Sequence, residues 1–491
     1  MIPWIGYAPD VDPVTPGVMV DCDHVIPTAR AFEAAPSPAS SGYTALAATC
    51  MGASLLRKTD DTVRLFAGTS ANLYEGQSNA WTNRTPAATL TGLGSADRWR
   101  FAQMGDTSFA VAKTEKLHFL AGASTFAQTT STAPKAGVIE TVNNFVMLFD
   151  VVDQGALYDS ATRADGWWCG PKGGYIDFTP SVTSEAATGV LQSTPGKITA
   201  GRRFGYQCVA YKLRSMYLGT YVGQPVIWDW QLIPGDAGAL SQEAVVNIGT
   251  PEQPVHLSMG ADNFYAYAGA RAMPIGDAVK ETVFGELNMA HYYSACALHD
   301  RARNIVRFWY PVVGTNLPEK CIVFNYKTGK WGRDDRQIEM AVDFSAGGTT
   351  YDALGTSYAT YDDLPALPYD LAFSVASAEL PAVFDTAHLL KTLTGAAGAS
   401  SITTGDYGDE QIFSTLARVR PRFLSAPAAA SFANYYRDVL SDALTADATT
   451  PIAEGRFDML RSARWHRGVL QMEGDWEMPG IDATLIPDGE E

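Results

Sequence analysis

Short apolar runs rich in aromatic and β-branched residues recur along this chain, separated by clusters of Gly, Asn, Asp, Ser and Thr. Runs of this kind predict β-strands, and the clusters between them predict turns. Residues 62–68 lead into 71–75 and close at Trp81, while 106–112 turn through 113–116 into 117–120. Residues 144–149 are followed by 156–158 and by Trp167 and Trp168; 203–210 and 215–218 lead to Trp228 and Trp230; 263–267 form a fifth unit. A sixth unit is the clearest. There 304–310 pairs with 320–326, Gly329 supplies a turn residue free to take positive φ, and Trp331 follows.

The centres of these units (Leu65, Phe109, Val146, Val209, Tyr265 and Val306) lie 37 to 63 residues apart. Repeated multi-strand units of roughly that length are the pattern of propeller blades, with a long-looped β-sandwich as the alternative. Near residue 365 the pattern changes: Pro365 and Pro368 punctuate the chain, and 394–401 is small and Gly-rich. Beyond it, 412–423 and 461–473 read as strands, the latter turning at Gly474 and returning through 476–478, and 430–444 is the best helix candidate. The expected fold is therefore all-β: a β-propeller over 61–380, a sandwich-like β-rich platform over 381–491, and an N-terminal arm over 1–60 packed with the platform.

Composition narrows the function classes. With 36 basic and 53 acidic residues the net charge is −17, the opposite of the basic surface that grips nucleic-acid phosphates. No apolar run approaches the roughly 18 residues of a membrane helix, and the N-terminus lacks the pattern of a secretory leader, so a soluble chain that stays in the cytoplasm or in a particle assembled there is expected. Six scattered cysteines (Cys22, Cys50, Cys169, Cys208, Cys296, Cys321) read as buried free thiols.

Candidate chemistry is sparse. No phosphate loop, nucleophile elbow or H-E-x-x-H pair is present. Asp21, Cys22, Asp23 and His24 stand together, but on a strand Asp21 and Asp23 share one face and Cys22 and His24 the other, so four ligands do not converge. The acidic pairs Asp334–Asp335 and Asp362–Asp363 read as solvated turns, because neighbouring acids on a strand point apart. Residues 473–491, with seven acids and no base, read as a solvated tail. Catalytic, cofactor and metal residues are thus expected to be absent. In contrast, Arg418, Arg420 and Arg422 fall on one face of a strand, with Val419 and Phe423 on the other. Three stacked cations need facing anions, either from an adjacent strand or from a partner, and they form the candidate interface.

Several phrases resemble tail proteins of short-tailed bacteriophages. They are the opening 7–27, 98–106 (RWRFAQMGD), 324–331 (FNYKTGKW) and 463–476 (ARWHRGVLQMEGDW). The resemblance implies a tail nozzle, or hub, protein: a structural virion component without an active site or cofactor. It implies a homo-oligomeric ring, a hexamer, below the portal and its adaptor in the virion tail, assembled in the host cytoplasm and in contact with other tail proteins and tail fibres. Genomic DNA would pass through the ring's lumen without sequence-specific binding. A receptor-binding or polysaccharide-degrading propeller is the alternative, and it would need carboxylates converging in the propeller's central channel.

Overall fold

The structure, a computed structural model, describes residues 2–77, 79–86, 90–122, 125–129, 133–152, 162–345 and 379–490. Strands dominate, and they sort into seven consecutive four-stranded antiparallel units plus two further sheets. The innermost strands of the seven units are Ala53–Arg57, Arg100–Met104, Lys135–Val142, Ala200–Phe204, Val245–Asn247, Cys296–Asp300 and Met340–Phe344. Neighbouring inner strands adjoin in order, and the seventh lies against the first. Blades four and five meet through a shared core of Val209, Tyr211, Val245 and Tyr267. The ring is closed, and this is a seven-bladed β-propeller.

The seventh blade explains how it closes. Its strands Met340–Phe344, Leu380–Phe384 and Leu390–Gly395 are completed on the outside by Ser37–Ser40 from the N-terminal arm. Opening the ring would break a ladder between the two ends of the propeller sequence, so closure is held by backbone hydrogen bonds as well as by packing.

The six units read from the sequence are all present. In the sixth, Ile305–Tyr310 pairs with Lys320–Asn325 in register from Ile305↔Asn325 to Tyr310↔Lys320. Gly329 turns at φ 70°, and Trp331 sits on the fourth strand. Residues 203–210, read as one strand, are a hairpin between Ala200–Phe204 and Gln207–Tyr211, with Gly205 at φ 63° making the turn. The stretch 156–158 lies outside the described residues.

The other two sheets face each other. One has the order Gly6–Tyr7, Val18–Asp23, Ala399–Gly408, Trp465–Glu473, Ala429–Arg437, Thr445–Pro451; the other Ile2–Pro3, Gly480–Glu490, Ile412–Pro421, Phe457–Ala463. Phe432 stacks on Phe457 between them at 5.5 Å. A Cβ at Gly468 would come 2.0 Å from the Phe432 ring, so this contact requires glycine. The expected helix over 430–444 is instead the strand Ala429–Arg437 and a turn. Ala430, Phe432 and Asn434 alternate into the interior, a period of two that overrides the helix propensity of alanine. The acidic segment is no free tail either: Gly480–Glu490 pairs along Ile412–Pro421, and its Asp482 meets Arg422.

The arm joins the halves. Val25–Pro27 extends blade six by pairing with Arg333, Phe32–Ala34 pairs with Val25–Pro27, and Glu477–Met478 pairs with Phe32–Ala34. One seven-stranded sheet therefore runs from the propeller through the arm into the C-terminal region. A single apolar core follows it, from Phe264, Phe308 and Trp331 through Trp4, Tyr7 and Phe32 to Leu470, Trp476 and Met478. The propeller sheets occupy 53–395, and the arm contributes strands to the two-sheet unit, to blade six and to blade seven.

Candidate functional site

The first candidate is the propeller axis. Gln242 and Glu243 precede the inner strand of blade five and lie across it. The Gln242 amide donates to the Ile139 carbonyl at 2.8 Å and accepts from the Gly201 N–H at 3.0 Å. Arg202 donates to the Gln242 carbonyl at 2.7 Å. Arg100 grips Glu243 through Nε at 2.9 Å and Nη2 at 3.0 Å, and also donates to the Gly137 carbonyl. The Ala297 N–H donates to the Glu243 carbonyl at 2.8 Å. Two residues thus tie together the inner strands of blades two, three, four and six, and block the axis.

A cavity lies on each side of this block. The larger, about 480 Å³, is lined by Glu140, Arg202, Arg203, Glu243, Arg301 and Asp343 among others. The smaller, about 250 Å³, lies where the inner strands begin. In the larger one, burial pushes the carboxyls of Glu140 and Asp343 up, Asp343 to about 6 with help from neighbouring Glu379. Burial also acts on Glu243, but the Arg100 guanidinium outweighs it and holds that carboxyl below its usual range.

The second candidate is the arm–propeller junction. Asp334, read from sequence as part of a solvated turn, is 0% exposed. Its Oδ1 accepts from His24 Nδ1 and Arg336 Nε, each at 2.9 Å, and Arg307 Nε lies 3.6 Å from Oδ2. Arg307, itself 0% exposed, also donates to Asp300 at 3.2 Å, and Arg303 bridges Asp300 and Glu33. Burial alone would raise the Asp334 carboxyl; His24, Arg336 and Arg307 hold it low instead, and the Asp334 bond raises His24. His24 reaches Asp334 because its backbone turns at φ 53°. Asp21 pairs with Arg333 at 2.7 Å, Cys22 is buried, and Asp23 lies 3.7 Å from the His24 ring, so the four adjacent polar residues do not converge on one point. Among the described residues no three His, Cys, Asp or Glu side chains gather as a metal site. Asp362 and Asp363 lie outside the described residues.

The arginine strand has partners on both sides within its own sheet. Arg418 pairs with Asp458 at 2.9 Å and Arg422 with Asp482, while Arg420 makes no ion pair among the described residues. A register shift between Leu416 and Arg418 resets the alternation and leaves Val419 buried. The facing anions come from the adjacent strands Phe457–Ala463 and Gly480–Glu490.

Sequence reasoning missed the axial pair and the junction. One signal pointed to the second: Arg307 is the only charge in the apolar strand Ile305–Tyr310, and a charge so placed demands a buried counter-charge. All six cysteines are free and buried, and burial lifts Cys50, Cys169 and Cys296 to about 12.

The chain matches no protein-family model and no curated protein sequence. Similar solved structures include YCF48 bound to D1 peptide, at 11% identity, TM-score 0.37, over 80% of this chain and 97% of that one. The Neurospora crassa Pan2 WD40 domain is similar at 7% identity, TM-score 0.39, over 75% of this chain and 96% of that one. Human WBSCR16 is similar at 8% identity, TM-score 0.33, over 60% and 85%. The propeller assignment stands on the sheet order and ring closure of this chain itself.

Proposed function

We propose that this chain is a structural tail protein of a short-tailed bacteriophage, a nozzle or hub subunit that forms a ring, expected to be hexameric, below portal and adaptor. The observation that carries the reading is the sheet shared by blade six, the arm and the C-terminal region, with one core behind it. A subunit whose parts share one sheet and one core suits a ring that must hold a packaged genome. The blocked propeller axis is consistent with a lumen formed between copies rather than through each one. Six copies at −17 carry about −100 of formal charge. A wall of that sign repels DNA within a Debye length of about 8–10 Å, which favours sliding over adhesion. Retention would then come from a constriction. The test is to tag the chain in the virus particle and image particles by electron microscopy. Label on the tail axis below the portal is expected; label on peripheral fibres sinks the reading.

One observation favours a second reading, a tail component that cleaves polysaccharide. Glu140 and Asp343 line the larger axial cavity, and burial raises both carboxyls, so either would suit the general acid of such a reaction. Turnover on capsular polysaccharide, lost in Asp343→Asn, would support it. Absence of turnover leaves the structural role.

A further inference from the structure

The smaller axial cavity has a charge imbalance that nothing so far accounts for. Four cations line it, Arg98, Arg100, Lys113 and Lys197, against the carboxylates of Asp97 and Asp150. Arg100 is committed to Glu243, and Lys113 to Asp150 at 2.8 Å. Asp97 accepts the Gly94 N–H at 3.0 Å. Arg98 and Lys197 have no carboxylate within ion-pair range among the described residues.

Arg98 is only 8% exposed. Its Nη1 donates to the carbonyls of Ser95 and Asp97, both at 2.8 Å, while Nε and Nη2 make no hydrogen bond among the described residues. The guanidinium lies 5.2 Å from the Tyr293 ring centre, and the Lys197 ammonium 5.5 Å from that of Tyr292. Those two rings are 6.1 Å apart and meet edge to face. The contacts run in series through Arg98, Tyr293, Tyr292 and Lys197, and all four residues line the one small cavity. Cation–π contact offsets only part of the cost of a buried guanidinium, and burial does pull Arg98 downward. The Tyr293 hydroxyl is taken by His291 at 2.7 Å, whereas the Tyr292 hydroxyl has no partner among the described residues.

We infer that this cavity binds a small phosphate-bearing anion, held by Arg98, Lys197 and the Tyr292 hydroxyl. A guanidinium, an ammonium and a phenol lining one cavity offer more donors than the two oxygens of a carboxylate can use, and suit the several oxygens of a phosphate. A volume of about 250 Å³ admits orthophosphate or the phosphate end of a monoester and excludes a duplex.

The test is calorimetric titration of the full chain with inorganic phosphate, and with acetate and chloride at matched ionic strength. Saturable one-to-one phosphate binding is expected, with none for chloride and weaker binding for acetate. Lys197→Ala, at an exposed residue that leaves the fold intact, should weaken phosphate binding about tenfold or more, and Arg98→Gln should abolish it. The inference is overturned if phosphate gives no saturable signal, if acetate binds as well as phosphate, or if Lys197→Ala binds like the parent. Should Arg98→Gln fail to fold, Lys197→Ala decides alone.

Discussion

Around Asp334 and on the outer face of Ile412–Pro421 the chain pairs the same residue types, arginine and aspartate, at opposite depths. Arg307 and Asp334 have fully buried side chains, whereas those of Arg418 and Asp458 are 46% and 50% exposed. Water can replace a lost partner at the second place and not at the first. Depth, rather than distance, decides what each pair contributes: the exposed Arg418–Asp458 contact is shorter, at 2.9 Å, than the buried 3.6 Å approach, yet the buried one should matter far more.

The largest expected effect follows directly. Asp334→Ala leaves Arg307, Arg336 and His24 around an empty buried position, and breaking a buried pair from one side costs about 3–5 kcal/mol. Urea denaturation should show that loss. A loss below about 1 kcal/mol would mean that the buried network contributes no more than a surface pair.

Histidine sharpens the same contrast. His24 gains a carboxylate partner on folding and titrates higher, so its contribution is full below the unfolded value near 6.5 and fades as pH rises through its folded value. His118 and His256 do the reverse. Burial lowers each to about 4. They must stay neutral in the fold while the unfolded chain takes up protons below 6.5. The stability they contribute is therefore full above that pH and lost as pH falls toward 4, by about 3 kcal/mol each. Urea midpoints followed from pH 7 to 4.5 should fall steeply in the parent. In His118→Phe the fall should be shallower by roughly one histidine's share, and an unchanged slope would contradict the assignment.

The axial block should come next. Gln242→Ala strands the Ile139 carbonyl and the Gly201 N–H in a buried setting, at about 1–3 kcal/mol. Amide exchange at Gly201 should accelerate more than exchange in the distant strand Trp465–Glu473. Equal acceleration in both would show that Gln242 acts on the whole fold and not on the ring.

These depth differences were only partly legible in the sequence. Blade six was plain because Ile305–Tyr310 and Lys320–Asn325 are apolar throughout and bracket a glycine turn, all within local reach. Blade seven was hidden because its strands come from 37–40, 340–344 and 380–395, which no local periodicity connects. Ala429–Arg437 looked helical because alanine carries little strand signal, and its true period shows only once both neighbouring strands are in place. Asp334 looked like a turn residue for a related reason. A charge pair separated by 310 residues, as His24 and Asp334 are, leaves no spacing to read.

The smallest effect is the most informative about partners. Arg418→Ala and Arg422→Ala each remove an exposed pair whose measured worth is typically below about 1 kcal/mol, and Arg420 loses no ion pair at all. The triple alanine variant should therefore denature within about 1–2 kcal/mol of the parent. If this face is an interface with another subunit, sedimentation should show the same variant failing to assemble while its fold persists. A stability loss as large as that of Asp334→Ala would instead show that the strand's arginines serve the sheet they sit in. Depth would then have failed as the rule that separates the two sets of pairs.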